Sequence, residues 1–395
     1  MKNGKSKIKA GGPERSRRVV VAMSGGVDSS VAAALLKRAG FDVIGVFMKF
    51  WKDPLTGSGQ AGENRCCSVE SEKLARSVAK KIGIPFYVLN VEKEFKRKVV
   101  DYFLKEYKKG NTPNPCVVCN KEIKFGFLIK KALSLGADFI ATGHYARIQN
   151  GKLLKGADKE KDQSYFLWQL DQKQLNHVLF PVGGYVKPEV RKLAKKFKLP
   201  TAETPESQEV CFIHPHTKQE HQRNLQTNGS CACYGVGVKN TTNEFLRKYL
   251  KTKPGKIIDK SGKTLGEHRG LWFYTIGQRK GLEIPQGPYY VIDKDFKKNI
   301  LIVSKNRKDL NKKELVAGDV SWILPKKLPL NAEVKIRYKS DFTKAKILNT
   351  GKNPSASLRA GKVKVIFVKP QKAITPGQSA VFYKGKELLG GGVIM

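Results

Sequence analysis

The chain has 395 residues, too many for one ordinary core, so two or three domains are expected. Its 40% hydrophobic and 28% charged content suits a soluble globular protein, and seven unevenly spaced cysteines exclude a secreted disulfide scaffold. Lys and Arg total 75 against 34 Asp and Glu, a formal net charge of +41 that attracts polyanions whatever the fold. Nucleic-acid binding is the reading this favours. A lineage-wide lysine bias, visible in scattered KK pairs, is the plainer source of the same charge.

Residues 1–17 read as a basic disordered tail, with an organelle transit peptide as the lesser alternative. No apolar segment follows to make a secretory signal, and no stretch reaches membrane-spanning length, so a cytoplasmic protein without a membrane partner is expected. The chain then alternates strands and helices. VVVAM (19–23), DVIGVFM (42–48), PFYVLNV (85–91) and ADFIATGH (137–144) are β-rich runs. Helical patterns intervene at SSVAAALLKRAG, SEKLARSVAKKIG, EFKRKVVDYFLKEY and FGFLIKKALSLG. The alternation predicts a parallel sheet covered on both faces, with ligand-binding loops at the carboxyl ends of its strands. Residues 214–240 are polar and without period, and read as a long loop or insertion. From about 288, short alternating runs (YYVID, ILIVS, VKIRY, VKVIFV, AVFYKG) predict an all-β module, a small barrel. The expected domains are therefore 18–212, 213–287 and 288–395.

AMSGGVDSS (22–30) lies between the first strand and the first helix. Ser24, Gly25 and Gly26 place a tight turn at a helix N-terminus, where bare backbone N–H groups and the helix dipole favour an anion. Ser29 and Ser30 add hydroxyls, and Asp28 is placed to hold a metal ion on phosphates. The loop is neither Walker-type nor G-x-G-x-x-G; a glycine turn with a serine cap is the plainer alternative. NTPNPCVVCNKEIKFG (111–126) holds Cys116 and Cys119 in C-x-x-C spacing. That spacing alone leaves open a redox dithiol, half a zinc site, part of an iron–sulfur cage, or one nucleophile beside an incidental neighbour.

SGGVDS resembles the pyrophosphate loop of the ATP-pyrophosphatase superfamily, whose members adenylate a substrate oxygen. Together with TPNPCVVCNKEIKFG, ATGHYARI, KDQSYFLWQL, ESQEVCFI, FYTIGQRKGL and PGQSAVFY, it resembles the tRNA-specific 2-thiouridylase family, in family order from about residue 18 to 395. The resemblance implies an α/β, adenine nucleotide alpha hydrolase-like N-terminal domain, a small central domain and a C-terminal β-barrel that binds tRNA. It implies replacement of the C2 oxygen of the wobble uridine by sulfur, using ATP and Mg2+. An amide-like carbonyl is a poor electrophile; adenylation supplies a leaving group, and a persulfide supplies the nucleophile.

By motif, Cys211 is the persulfide carrier and Cys119 the nucleophile; Cys211 alone would read as a buried apolar cysteine. Ala22, Met23, Ser24, Gly25, Gly26, Val27, Asp28, Ser29, Met48 and Gly143 match the ATP contacts. Met48 would otherwise be core. Asn114, Pro115 and Cys116 match the segment that meets the target base. His144, Lys161, Asp162, Gln163, Arg337, Tyr338 and Gln378 match tRNA contacts. Without the resemblance, His144 would be a structural hydrogen bonder and the strand residues a solvated face. The implied partners are lysine, glutamate and glutamine tRNAs and a cysteine desulfurase or sulfur-relay protein.

Two departures stand out. Many family members have Asp where this chain has Cys116, so Cys116, Cys119 and Cys211 offer three thiolates for an iron–sulfur cluster. A structural zinc would need four ligands and would occupy both reactive thiols. The insertion holds His214, His216, His221, Cys231 and Cys233, either a zinc set or, more plainly, a disordered or foreign loop. Cys66 and Cys67 read as incidental, or as part of a tRNA-facing loop. Two other readings compete: an adenylating enzyme of the same superfamily acting on a metabolite, and an RNA-binding protein that lost its chemistry.

Overall fold

A computed structural model describes residues 17–54, 68–205, 210–213, 241–350 and 359–395. The basic tail to residue 16, Cys66, Cys67 and the insertion 214–240, with its candidate zinc ligands, lie outside the described residues.

β1 (Arg18–Ala22), β2 (Asp42–Lys49), β3 (Phe86–Asn90), β4 (Phe139–Ala141) and β7 (Val178–Leu179) form a parallel sheet in the order β3-β2-β1-β4-β7. β1 reads RVVVA with its three valines buried, as a central strand covered on both faces requires. The four strands expected from sequence are present; the two-residue β7 is too short to leave a pattern. The loops at the carboxyl ends of β1 and β4 carry SGGVDS and TGHY, so strand order sets these segments side by side.

α1 (Val27–Arg38) and α2 (Val69–Ile82) follow the predicted pattern, α2 with Ser68 accepting the Ser71 N–H as its N-cap and Gly83 as its left-handed C-cap. The next helical stretch runs through α3 (Glu92–Phe95), a π-helical segment (Lys96–Val100) and α4 (Asp101–Lys108). After a short loop, α5 (Pro115–Cys119) continues as a π-helical segment (Asn120–Phe127) and α6 (Leu128–Ser134). Pro115 sits in its first turn, where its missing N–H costs nothing. C-x-x-C is thus the helix start rather than a loop ahead of it.

β8 (Gly255–Ile258), β9 (Thr264–His268), β10 (Tyr290–Asp295) and β11 (Ile300–Ser304) form a separate four-stranded sheet, β10-β11-β8-β9. This corrects the expected boundary at 288, because β10 and β11 complete the central sheet by pairing β11 to β8. The barrel begins at β12 (Asn311–Trp322) and continues through β13 (Leu330–Lys335), β14 (Thr343–Asn349), β16 (Val363–Lys372), β17 (Ser379–Lys384) and β18 (Glu387–Ile394), with the short β15 (Arg359–Ala360) pairing on β12. β12 pairs with both β16 and β18, closing six antiparallel strands around their own core. The hairpin of β5 (Ala146–Gln149) and β6 (Lys152–Lys155) leaves the N-terminal domain and joins the barrel sheet at β18.

The barrel's outer face is also bonded to the N-terminal domain. Ser164 Oγ lies 3.2 Å from Tyr383 Oη, Tyr165 Oη donates to Ser379 O at 3.0 Å, and Trp168 Nε1 to Ser379 Oγ at 3.0 Å. No helix among the described residues is long and apolar enough to cross a membrane.

Candidate active site

The loop after β1 turns at Gly25, whose φ of +77° is unfavourable for other residues and whose added Cβ would stand 2.4 Å from Ser71 O. Gly26 is the N-cap of α1 and offers no side-chain cap, which leaves the first-turn N–H groups facing the loop. Ser24 N donates to Ser29 Oγ at 3.2 Å, and Ser29 Oγ lies 3.4 Å from Ser24 Oγ, so these hydroxyls line the turn. Ser30 differs from expectation. Fully buried, its hydroxyl donates back to Gly26 O at 2.9 Å, so it braces the helix start instead of facing an anion.

Asp28 also differs from the simple metal-holding expectation. Lys187 Nζ, at the start of α8 (Lys187–Lys196), donates to both its carboxylate oxygens at 2.7 and 2.8 Å, and the Tyr145 hydroxyl donates at 2.7 Å. Lys187 is in turn fixed by its backbone N–H on Asp158 Oδ2 at 2.8 Å. Gly143 stands directly over this helix start: an added Cβ would lie 2.7 Å from Ser29 N and 2.8 Å from Asp28 C. Packing on α1 therefore demands its small size. Met48, near the carboxyl end of β2, is buried and pairs with Leu89.

The segment ahead of the cysteines is gripped by all three domains. Thr112 N donates to Pro376 O at 2.8 Å, Gln378 Nε2 donates to Thr112 O at 2.8 Å, and Thr112 Oγ1 lies 3.3 Å from Thr275 Oγ1. Lys294 Nζ donates to Gly110 O at 2.6 Å and Tyr274 O at 2.9 Å; burial pushes its pKa down to about 8. The Asn114 side chain reaches the Tyr165 hydroxyl, whose titration burial drives upward. Cys116 is exposed and Cys119 buried, beside buried Pro115 and Val117.

Cys211 is half-buried, and the next residue, Phe212, packs on Phe103 at 5.2 Å, Phe245 at 5.5 Å and Phe95 at 5.9 Å between ring centroids. Phe95 and Phe103 belong to the helical stretch against which α5 rests. The segments carrying Cys119 and Cys211 thus pack on the same helical stretch. Among the described residues, no three His, Cys, Asp or Glu side chains lie close enough to hold a metal ion. Cys116, Cys119 and Cys211 therefore do not form the three-ligand set the sequence left open, because Cys116 faces solvent while Cys119 packs inward.

Several residues expected to contact RNA also make bonds that hold the fold. Asp162 is buried and accepts from Gly156 N (2.9 Å), Ser164 N (3.1 Å) and Ser164 Oγ (2.9 Å), which fixes the loop. Gln163 Oε1 accepts from Tyr145 N at 3.0 Å, and Lys161 N donates to Asp158 Oδ1 at 3.2 Å. Arg337 donates to Ala373 O and to Thr375 Oγ1 (2.8 Å), and Tyr338 stacks on Phe166 at 4.6 Å. His144 shares a 2.7 Å hydrogen bond with Thr142 Oγ1 between Phe125 and Phe180. Burial, and then nearby Lys124, push its pKa well below the usual histidine range.

Residues 17–215 match the family model described as tRNA methyl transferase HUP domain. Residues 243–305 match that of the tRNA methyl transferase PRC-barrel domain, and 312–394 that of the Aminomethyltransferase beta-barrel domain. A tRNA-specific 2-thiouridylase MnmA of Carboxydothermus hydrogenoformans is 44% identical over 389 residues, covering 96% of this chain and 97% of its own. The chain belongs to the tRNA-specific 2-thiouridylase family. A thiouridylase of Halothermothrix orenii is 46% identical, over 95% of this chain and 98% of its own. A 4-thiouridine synthetase solved with RNA and ATP is 18% identical with a TM-score of 0.33, covering 53% of this chain and 50% of that one, too slight a likeness to argue from.

For a thiouridylase, sequence reasoning missed Lys187, Tyr145, Thr112 and Asn120. Tyr145 stands beside the noted ATGH run, so its neighbourhood was a signal. Lys187 had none, being one lysine among many until folding brings it to Asp28. Asn120, buried next to Cys119, donates from Nδ2 to Phe166 O at 3.1 Å and ties the cysteine helix to the 164–167 turn.

Proposed function

We propose that the protein replaces the C2 oxygen of the wobble uridine of tRNA by sulfur, with Cys211 carrying the persulfide and Cys119 completing the transfer. The observation that carries this is the mounting of both cysteine segments on the Phe95–Phe103 helix. Residues 22–29 would hold the ATP phosphates at the start of α1, with Met48 packing beside the base. Asp28, the loop's one carboxylate, would hold a magnesium ion there in exchange for Lys187, and such an ion would neutralise phosphate charge.

In the first step the uridine C2 oxygen attacks the α-phosphorus and pyrophosphate leaves. The terminal sulfur of the Cys211 persulfide then attacks C2, and AMP leaves with the old oxygen. The Cys119 thiolate attacks Cys211 Sγ, releasing the thiocarbonyl and forming a Cys119–Cys211 disulfide. An external dithiol reductant restores both thiols, and a cysteine desulfurase or relay protein reloads Cys211. Buried Cys119 is shielded from other oxidants, and the three-domain grip on Thr112 holds the adjoining segment for the base.

The test combines protein, ATP, magnesium, a persulfide donor and unmodified lysine, glutamate or glutamine tRNA, with thiouridine read by mass spectrometry. Thiolation that requires Cys119 and Cys211 is expected. Pyrophosphate release indifferent to added tRNA would overturn it in favour of a metabolite-adenylating enzyme.

A further inference from the structure

Along β13 and just beyond it, Val334 and Ile336 point into the barrel core while Lys335 and Arg337 lie on its outer face. The two cations have different surroundings. Arg337 is engaged by Ala373 O and Thr375 Oγ1. Lys335, half-buried, has no ion-pair partner among the described residues; its Nζ lies 4.9 Å from the centre of the Phe342 ring and 5.6 Å from that of Tyr338.

A second ammonium group lies against the same aromatic ring. Lys155, at the end of β6, places Nζ 3.5 Å from the Phe342 centroid and 4.8 Å from that of Tyr383, with its side chain 19% exposed. Its closest carboxylate, Glu333, is at a loose 3.7 Å. Buried Asp162 acts on both lysines but spends its hydrogen bonds on its own loop, and Asp341 and Glu160 act on Lys335. Burial pushes both lysines' pKa values down, and these carboxylates oppose the shift. Phe342 itself is 37% exposed, so the pair opens to solvent where the β5–β6 hairpin meets the barrel.

We propose that Lys155 and Lys335, set around Phe342, bind a phosphodiester of the tRNA backbone. The occupant is an anion because two half-buried ammonium groups converge on one ring, and the carboxylates around them (Glu333, Asp162, Asp341 and Glu160) make no close ion pair with either. It is a backbone phosphate because aromatic-backed lysines in a seam between domains suit a chain passing through, and phosphate contacts position RNA without reading sequence. Neither lysine is among the residues that the family resemblance points to, although Asp162, Arg337 and Tyr338, which are, border the site; the proposal rests on the tRNA reading above.

The test measures tRNA affinity of wild type, Lys155→Met, Lys335→Met and the double variant across a salt series. Nucleotide binding and thermal unfolding are followed on the same samples. The expected result is roughly tenfold weaker tRNA binding in the double variant, a salt slope reduced by about one, and unaltered ATP binding. Unchanged affinity and slope in a folded double variant would overturn the site. Should the double variant unfold, Lys335→Arg and Lys335→Gln carry the test: Arg must keep the affinity and slope that Gln loses, and equal behaviour overturns the proposal. Low-millimolar inorganic phosphate binding that the double variant loses while its tRNA affinity stays unchanged would also overturn it, marking a small-anion site. Wild type that fails to bind tRNA at all sinks the tRNA reading itself, an outcome distinct from both.

Discussion

Lys187 and Asp28, 159 residues apart, form a two-pronged ion pair at 2.7 and 2.8 Å beside the start of α1. The Lys187 side chain is 10% exposed and that of Asp28 30%, so the pair is only partly open to water. Removing the cation leaves a carboxylate at the place where phosphates must bind. Lys187→Met is expected to cost about 2 kcal/mol of stability, below the range for fully buried pairs because Asp28 keeps some water. It is also expected to weaken ATP binding about tenfold, roughly 1.4 kcal/mol. Adding Asp28→Asn should recover much of the stability. A double-mutant cycle by thermal unfolding, with calorimetric ATP titration, measures both; additive losses would show that the two residues do not couple.

Strand periodicity made the parallel sheet and the C-terminal β module readable from sequence, whereas Cys119 and Cys211 were singled out by the family resemblance and not by local pattern. The limits of that reading are specific. The motifs point Asp28, Asp162 and Arg337 at ligands, but only the fold shows that each also has a partner supplied by distant or backbone atoms. Asp162 is held by the amides of residues 156 and 164, and Arg337 by Ala373 and Thr375. Lys187 and Lys335 could not be singled out among 75 basic residues, because burial and pairing distinguish them and neither has local sequence form. The barrel boundary moved because β10 and β11 alternate like barrel strands, and only pairing to β8 reveals their sheet.

The cysteines give a sharp separation. Cys119→Ser and Cys211→Ser are each expected to abolish thiolation, at least a hundredfold, while leaving ATP binding intact. Cys116→Ser should retain thiolation within about threefold, since the exposed Cys116 does not join the other two in a metal-ligand group. Thiouridine formation by mass spectrometry reads all three. Loss of activity in Cys116→Ser, together with iron in anaerobically purified wild type, would reverse this assignment.

Gly143 is a steric test of the loop. An alanine Cβ would meet Ser29 N at 2.7 Å and Asp28 C at 2.8 Å, both backbone atoms that cannot swing aside. Gly143→Ala should therefore destabilise by about 1–3 kcal/mol, as overpacking does, and displace the start of α1. ATP affinity is expected to fall with it, while tRNA affinity changes little. Calorimetry and filter binding on the same variant decide; full ATP affinity would mean that α1 can yield.

Lys294 joins the central sheet to the cysteine segment, and its titration should be visible in stability. Burial lowers its pKa from 10.5 to about 8, with Asp293 opposing the shift. In the unfolded chain the lysine stays protonated up to about 10.5. Between pH 8 and 10 the unfolded state thus binds more protons than the folded one, and stability rises with pH. The contribution is fully present above the unfolded value and is lost as pH falls through about 8. Between pH 7 and 10 a shift of this size amounts to about 2.5 kcal/mol. A neutral amine still has N–H groups for Gly110 O and Tyr274 O, so the joint keeps its bonds. Other lysines and tyrosines titrate in the same window, so the informative quantity is the difference between wild type and Lys294→Met. Denaturant unfolding at pH 7, 8, 9 and 10 should show wild type gaining on the variant by that amount. A pH-independent difference would mean that Lys294 keeps an ordinary pKa.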